Sequence, residues 1–187
     1  MKTESARLFF ALWPDEAQRT ALTAMTESLP AGLGRHVAPA NIHITLLFLG
    51  AVAAETRQAL EAAATRIAAS PFVLTLDHYG YWRKPQVLWA GSRVTPPELR
   101  GLVEQLQRAA SACGLSVDNR PYQPHLTLCR KVRQPPQLPK FLPFYWAAAD
   151  FSLVESRSAP GGVRYEPCRA WALRVDVDST SGPHSVE

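Results

Sequence analysis

The chain contains no Cys-x-x-Cys pair, and its three cysteines, Cys113, Cys129 and Cys168, lie far apart. An odd, scattered set argues against both a disulfide framework and a thiolate zinc site. Free thiols in a reducing compartment are the expectation. Long apolar runs are missing as well. The N-terminal run from Leu8 to Trp13 is closed by Pro14, too soon for the apolar segment of a secretion signal. No stretch approaches the roughly 18 apolar residues that a membrane-spanning helix needs. The expected setting is the cytoplasm, with no membrane partner.

Neither sign of charge dominates. Twenty Lys and Arg stand against sixteen Asp and Glu, a net charge of +4. That excess permits an anionic partner without demanding one. Much of the basic set is arginine, including Arg120, Arg130, Arg133, Arg164, Arg169 and Arg174, which suits bidentate phosphate contacts. With 187 residues and 47% apolar content, the chain can build one domain, or one domain made of two similar lobes. The domain is expected over residues 1–176, with a flexible polar tail over 177–187. A mixed surface without a long apolar patch points to a monomer.

Patterning predicts a strand over 7–13, a helix over 15–29 closed by Pro30, and a strand over 41–50 ended by Gly50. An alanine-rich helix follows over 53–69, then a strand and turn over 72–82 and a strand over 86–93. A second long helix spans 97–112, with Leu99, Leu102, Val103, Leu106 and Ala110 on its buried stripe and Gly114 at its C-terminal cap. A strand covers 124–131. The proline-rich segment 134–146 is expected to hold no regular element. The last strands come from 150–158 and 163–177. The strands are short and mixed in pattern, which predicts an α+β fold, largely antiparallel, with helices outside.

Two tetrapeptides repeat: His43-Ile44-Thr45-Leu46 and His125-Leu126-Thr127-Leu128, about half the chain apart, each after a predicted helix. In a strand, side chains alternate between faces. His43 and Thr45 therefore share one face, as do His125 and Thr127, while the aliphatic residues point into a core. A lone strand histidine is usually structural. Two of five histidines in matching contexts point instead to a shared site. Two opposed imidazoles suit acid–base chemistry on a phosphodiester, one taking a proton from water and one giving a proton to the leaving oxygen. The threonine hydroxyls are candidates for the non-bridging oxygens. Carboxylates and thiols are absent from these motifs, so the pair makes a poor metal site, and no metal is expected. His36, His78 and His184 lack a threonine partner and read as surface or structural residues.

The paired motifs, with the flanking segments RLFFAL, NIHITLLFLG, NRPYQPHLTLCR and RYEPCRAWAL, resemble the 2H phosphoesterase superfamily. Within it they look like the bacterial RNA 2′,3′-cyclic phosphodiesterase, or 2′-5′ RNA ligase, family. The likeness runs from about residue 7 to residue 175. It implies two pseudo-symmetric lobes, each an antiparallel sheet backed by helices, around a central cleft to which each lobe gives one histidine. It implies hydrolysis of RNA ending in a 2′,3′-cyclic phosphate to a 2′-phosphate, with reverse 2′-5′ ligation, and no cofactor. The RNA would be single-stranded or tRNA-half-like. His43 would be the proton donor to the 3′-oxygen and His125 the base. The sequence alone leaves the two histidines equivalent.

An arginine is also implied at Arg130. Simple alternation sends it to the face opposite His125, so a strand end or a bulge must turn it inward. Phe9 and Tyr122 are candidates to stack a base. Phe48 alternates away from His43 and is expected in the core. Two alternatives stay open. One is a phosphodiesterase acting on 2′-5′ oligonucleotides or a small cyclic phosphate. The other is an RNA-binding module without catalysis.

Overall fold

A computed structural model describes residues 5–118, 120–160 and 162–174. The expected tail lies outside these residues. The chain opens with β1 (Ser5–Leu12) and α1 (Glu16–Glu27), whose start is fixed by a reciprocal cap. The Asp15 carboxylate accepts from the Gln18 amide at 2.8 Å, and the Asp15 amide donates to the Gln18 side chain at 3.1 Å. A two-residue strand, β2 (Arg35–His36), and a 3-10 turn (Pro39–Asn41) lead into β3 (Ile44–Ala53). Strand β3 begins later than the pattern predicts because the turn takes up Asn41. It also runs past Gly50, which adopts φ +75° inside the strand where an L side chain would be strained.

Helix α2 (Ala54–Ala64) stops five residues short of the predicted end. The Gln105 side chain captures the backbone of Ala68, donating to its carbonyl at 2.7 Å and accepting from its amide at 3.3 Å. These bonds draw the segment out of helical geometry. Next come β4 (Phe72–Leu76), β5 (His78–Trp82), β6 (Val87–Gly91) and α3 (Pro97–Ala112). The expected stripe of α3 is buried, and Gly114 at φ +78° lets the Leu115 amide return to the Ala110 carbonyl. The chain closes with β7 (His125–Arg130), β8 (Phe144–Ala148), β9 (Asp150–Ala159) and β10 (Gly162–Ala172). Strand β8 corrects the reading of 134–146 as wholly irregular. Past the last proline, Pro143, the chain is free to pair, and Trp146 buries against β4.

Every strand pairing is antiparallel, and the main sheet runs β10-β9-β1-β3-β7-β6-β5, with β2 added at β7. It divides into two four-stranded lobes. One holds β10, β9, β1 and β3, and the other holds β5, β6, β7 and β2. The lobes are not sequence halves: the last two strands complete the first lobe, and β2 crosses to the second. Among the described residues, one pair, Ile44 with Leu126, joins β3 to β7. Both side chains are fully buried in a core shared with Phe10, Leu88, Leu102 and Phe151.

Because Leu102 is fully buried in that core, Leu102→Ala is expected to cost about 2–5 kcal/mol in urea denaturation, with an unchanged m-value. A loss below about 1 kcal/mol would contradict this packing.

Candidate active site

The Ile44–Leu126 pair sets the register of the whole site. Across it, antiparallel geometry puts His43 opposite Thr127 and Thr45 opposite His125. The buried aliphatic residues on one face thus drive all four polar side chains to the other. There they line one cavity of about 470 Å³, together with Arg7, Phe9, Phe48, Arg130, Ser156 and Tyr165. An adjoining cavity of about 550 Å³ shares His43, Thr127, Arg130 and Tyr165, and extends to Arg35, His36 and Asn41.

Each imidazole is anchored in the same way. His43 Nδ1 donates to the carbonyl of Asn41 at 2.7 Å, and His125 Nδ1 donates to the carbonyl of Gln123 at 2.9 Å. A carbonyl only accepts, so the Nδ1 proton is fixed and Nε2 is the working nitrogen on both rings. His43 Nε2 lies 3.0 Å from Thr45 Oγ1. Asn41 is itself clamped to the far edge of the lobe. Its side chain donates to the Val163 carbonyl at 2.7 Å and accepts from the Tyr165 amide at 3.0 Å.

Aromatic walls dry both rings. His43 packs against Phe9, Trp13 and Tyr165, with centroids 5.0, 5.9 and 5.0 Å away. His125 meets Trp82 at 4.6 Å and Trp89 at 6.2 Å. Trp89 fits because Gly80 and Gly91 beside it lack a Cβ, which would collide with its ring. Burial lowers the pKa of His43 to about 4, reinforced by the Arg130 and His125 charges and opposed by the Asn41 bond. His125 is lowered by burial first and by Arg130 second.

Arg130 reaches the cleft through a bulge. Trp89 pairs with Thr127 and Leu88 with Cys129, so Leu128 is an extra residue on β7 and alternation inverts after it. Leu128 and Cys129 are both buried, and Arg130 emerges beside Thr127. The first motif does the same. Pairing of β3 with β1 slips near Leu46 and again near Leu49. Leu46 and Leu47 are both buried, and Phe48 turns to the cleft at 52% exposure. This corrects the expectation that Phe48 is core: strict alternation does not survive the bulge.

The stacking candidates behave differently. Phe9 is 3% exposed and pressed against His43, so it offers no face to a base. Tyr122 donates its hydroxyl to the Thr45 carbonyl at 3.1 Å, bracing the seam, and burial pushes its pKa up. It lines a separate cavity with Arg100 and Arg120. Sequence reasoning missed Asn41, Trp82, Trp89 and Tyr165. Asn41 and Gln123 anchor through backbone carbonyls, which carry no sequence signal. The available signal was the shared offset of Phe48 and Arg130, each five residues past its histidine. Among the described residues, no three His, Cys, Asp or Glu side chains gather, and no helix is long and apolar enough to cross a membrane.

Two desolvated imidazoles with their Nδ1 atoms committed to carbonyls, two hydroxyls and an arginine on one cavity suit proton transfer around an anion. The comparisons agree with that class. The chain belongs to the 2′-5′ RNA ligase superfamily, whose family model matches residues 13–155. It is 39% identical over 174 residues to the RNA 2′,3′-cyclic phosphodiesterase of Escherichia coli, covering 91% of this chain and 98% of that one. Identity to the Thermus thermophilus protein of the same name is 31%, covering 90% of each. Escherichia coli LigT complexed with 3′-AMP superposes with a TM-score of 0.84 at 38% identity, covering 91% of this chain and 99% of that one.

A depressed histidine pKa means that the unfolded chain binds more protons below its ordinary value of about 6.5. Stability is therefore expected to fall as pH drops from 6.5 toward 4, and His43→Gln should flatten that slope. In NMR titrations, His43 should titrate near pH 4 and move upward when inorganic phosphate is added. A His43 midpoint near 6.5 without phosphate would contradict the desolvated site.

Proposed function

We propose that this protein hydrolyses the 2′,3′-cyclic phosphate end of RNA to a 2′-phosphate, with His125 as base and His43 as acid. The observation that carries the reading is the convergence of both histidines, both threonines and Arg130 on one cavity. The names of the Escherichia coli and Thermus relatives support the substrate class.

In this reading, neutral His125 takes a proton from water through Nε2 as the water oxygen bonds to phosphorus. The bond from phosphorus to the 3′-oxygen breaks, and protonated His43 gives that oxygen its proton. Arg130 and the hydroxyls of Thr45 and Thr127 hold the non-bridging oxygens as charge builds on them. In the empty cleft burial favours neutral His43, and a bound phosphate anion beside it raises its pKa toward the protonated form that the acid role needs. With the 5′-hydroxyl of a second RNA in place of water, the same displacement at phosphorus, with loss of the 3′-oxygen to the His43 proton, makes a 2′-5′ linkage. The substrate is a single-stranded or tRNA-half-like end, the enzyme is a monomer, and neither metal nor nucleotide cofactor takes part.

Purified protein is expected to open a cyclic-phosphate oligoribonucleotide in EDTA and give only the 2′-phosphate. Ala at either His43 or His125 should lower kcat by about 10²–10⁴-fold, the usual worth of one positioned proton transfer. The pH profile should be bell-shaped. A 3′-phosphate product, or near-normal kcat in His125→Ala, would overturn the assignment.

A further inference from the structure

The acidic residues are unevenly placed. Over residues 28–54, 78–97 and 120–149 the sequence holds nine Lys and Arg and no Asp or Glu. The fold gathers six of these cations at one corner of the second lobe. Arg35 on β2 pairs with Arg130 on β7, and Arg130 pairs on its other side with Val87, which opens β6. The β5–β6 turn, with Arg83 and Lys84, therefore lies beside the end of β7 and the Lys131 and Arg133 that follow it. Gln86 at φ +66° and Lys131 at φ +61° fold the two segments together, and the Val132 amide donates to the Gln86 carbonyl at 3.1 Å. Val132 is buried, while all six cations are exposed. Among the described residues, no carboxylate pairs with Arg83, Lys84, Lys131 or Arg133. Four such charges side by side repel one another, and a polyanion relieves that repulsion.

This corner is continuous with the cleft. Trp82, directly before the turn, walls His125 at 4.6 Å. Arg130 lines both cavities, and Arg35 lines the outer one. Resting on the phosphoesterase reading above, we infer that the corner is the surface that holds the sugar–phosphate backbone of the RNA strand behind its cyclic-phosphate end. A strand whose end lies between the histidines runs out over Arg130 and meets the rest of the cluster. Cations along such a path bind successive phosphates without reading the bases. The turn and residues 130–133 present no exposed large apolar side chain, which a bilayer partner would need to insert. The surface therefore favours an RNA strand over a lone nucleotide. It holds bound substrate and transition state equally, so its contribution falls on KM and not on kcat.

The test compares wild type with the triple variant Arg83→Gln, Lys84→Gln, Arg133→Gln. Lys131 is kept because it shapes the backbone next to Arg130. A control variant, Arg66→Gln, Arg100→Gln, Arg108→Gln, removes equal charge from α3 and the end of α2. The substrates are a nucleoside 2′,3′-cyclic phosphate and a short oligoribonucleotide ending in the same group. For the corner variant, KM on the oligoribonucleotide should rise roughly tenfold or more at low salt, with kcat and the mononucleotide kinetics unchanged. Independently of turnover, Kd for a labelled oligoribonucleotide ending in a 2′-phosphate is read by fluorescence anisotropy. The slope of log Kd against log salt should become shallower by about 2, the worth of three contacts to a single strand. The control should stay close to wild type in both. Unchanged KM and slope, an equal change in the control, or an equal loss on the mononucleotide overturns the surface. So does binding to phosphatidylglycerol vesicles that depends on these three residues while RNA binding does not. No wild-type turnover of either substrate overturns the phosphoesterase reading instead, and the anisotropy keeps the two failures apart.

Discussion

One residue pair holds the site together. Ile44 and Leu126 meet where β3 and β7 join, and these two strands share no other pair among the described residues. Because both side chains are driven into the core, their neighbours along each strand must face the cleft. A slip of one residue would send both histidines into the core and the aliphatics into water. Burying the apolar side thus fixes the register that brings both histidines and both threonines to one cavity. The Tyr122 hydroxyl, donating to the Thr45 carbonyl across the same seam, ties the second lobe to the first beside the histidines.

The second constraint is dryness. Phe9, Trp13 and Tyr165 on one side, and Trp82 and Trp89 on the other, strip water from imidazoles whose Nδ1 atoms are already committed to carbonyls. In such surroundings the neutral rings are favoured, with the proton held on Nδ1. Arg130 adds repulsion toward the charged forms; in the proposed reaction a phosphate anion between the rings would oppose that repulsion.

Much of this was legible from residue order. The periodicity of α3 gave its bounds and its buried stripe, and the repeated His-x-Thr-Leu gave the four polar side chains that share the cavity, because hydrophobic burial sets side-chain direction at short range. What escaped depended on departures from regularity. The bulges that redirect Phe48 and Arg130 come from pairing with neighbouring strands, which alternation within one strand cannot register. The early end of α2 comes from Gln105, distant in sequence from Ala68. The interleaving of the lobes, with β9 and β10 returning to β1, is likewise a property of topology and not of any local pattern.

The central claim is that one phosphorus is served by both lobes at once. A crystal structure of the protein with a vanadate or phosphate anion bound tests it directly. The expected result is a single anion within hydrogen-bond reach of Nε2 of His43, Nε2 of His125 and the Arg130 guanidinium. An anion held by one lobe alone, with the other histidine out of reach, would contradict it.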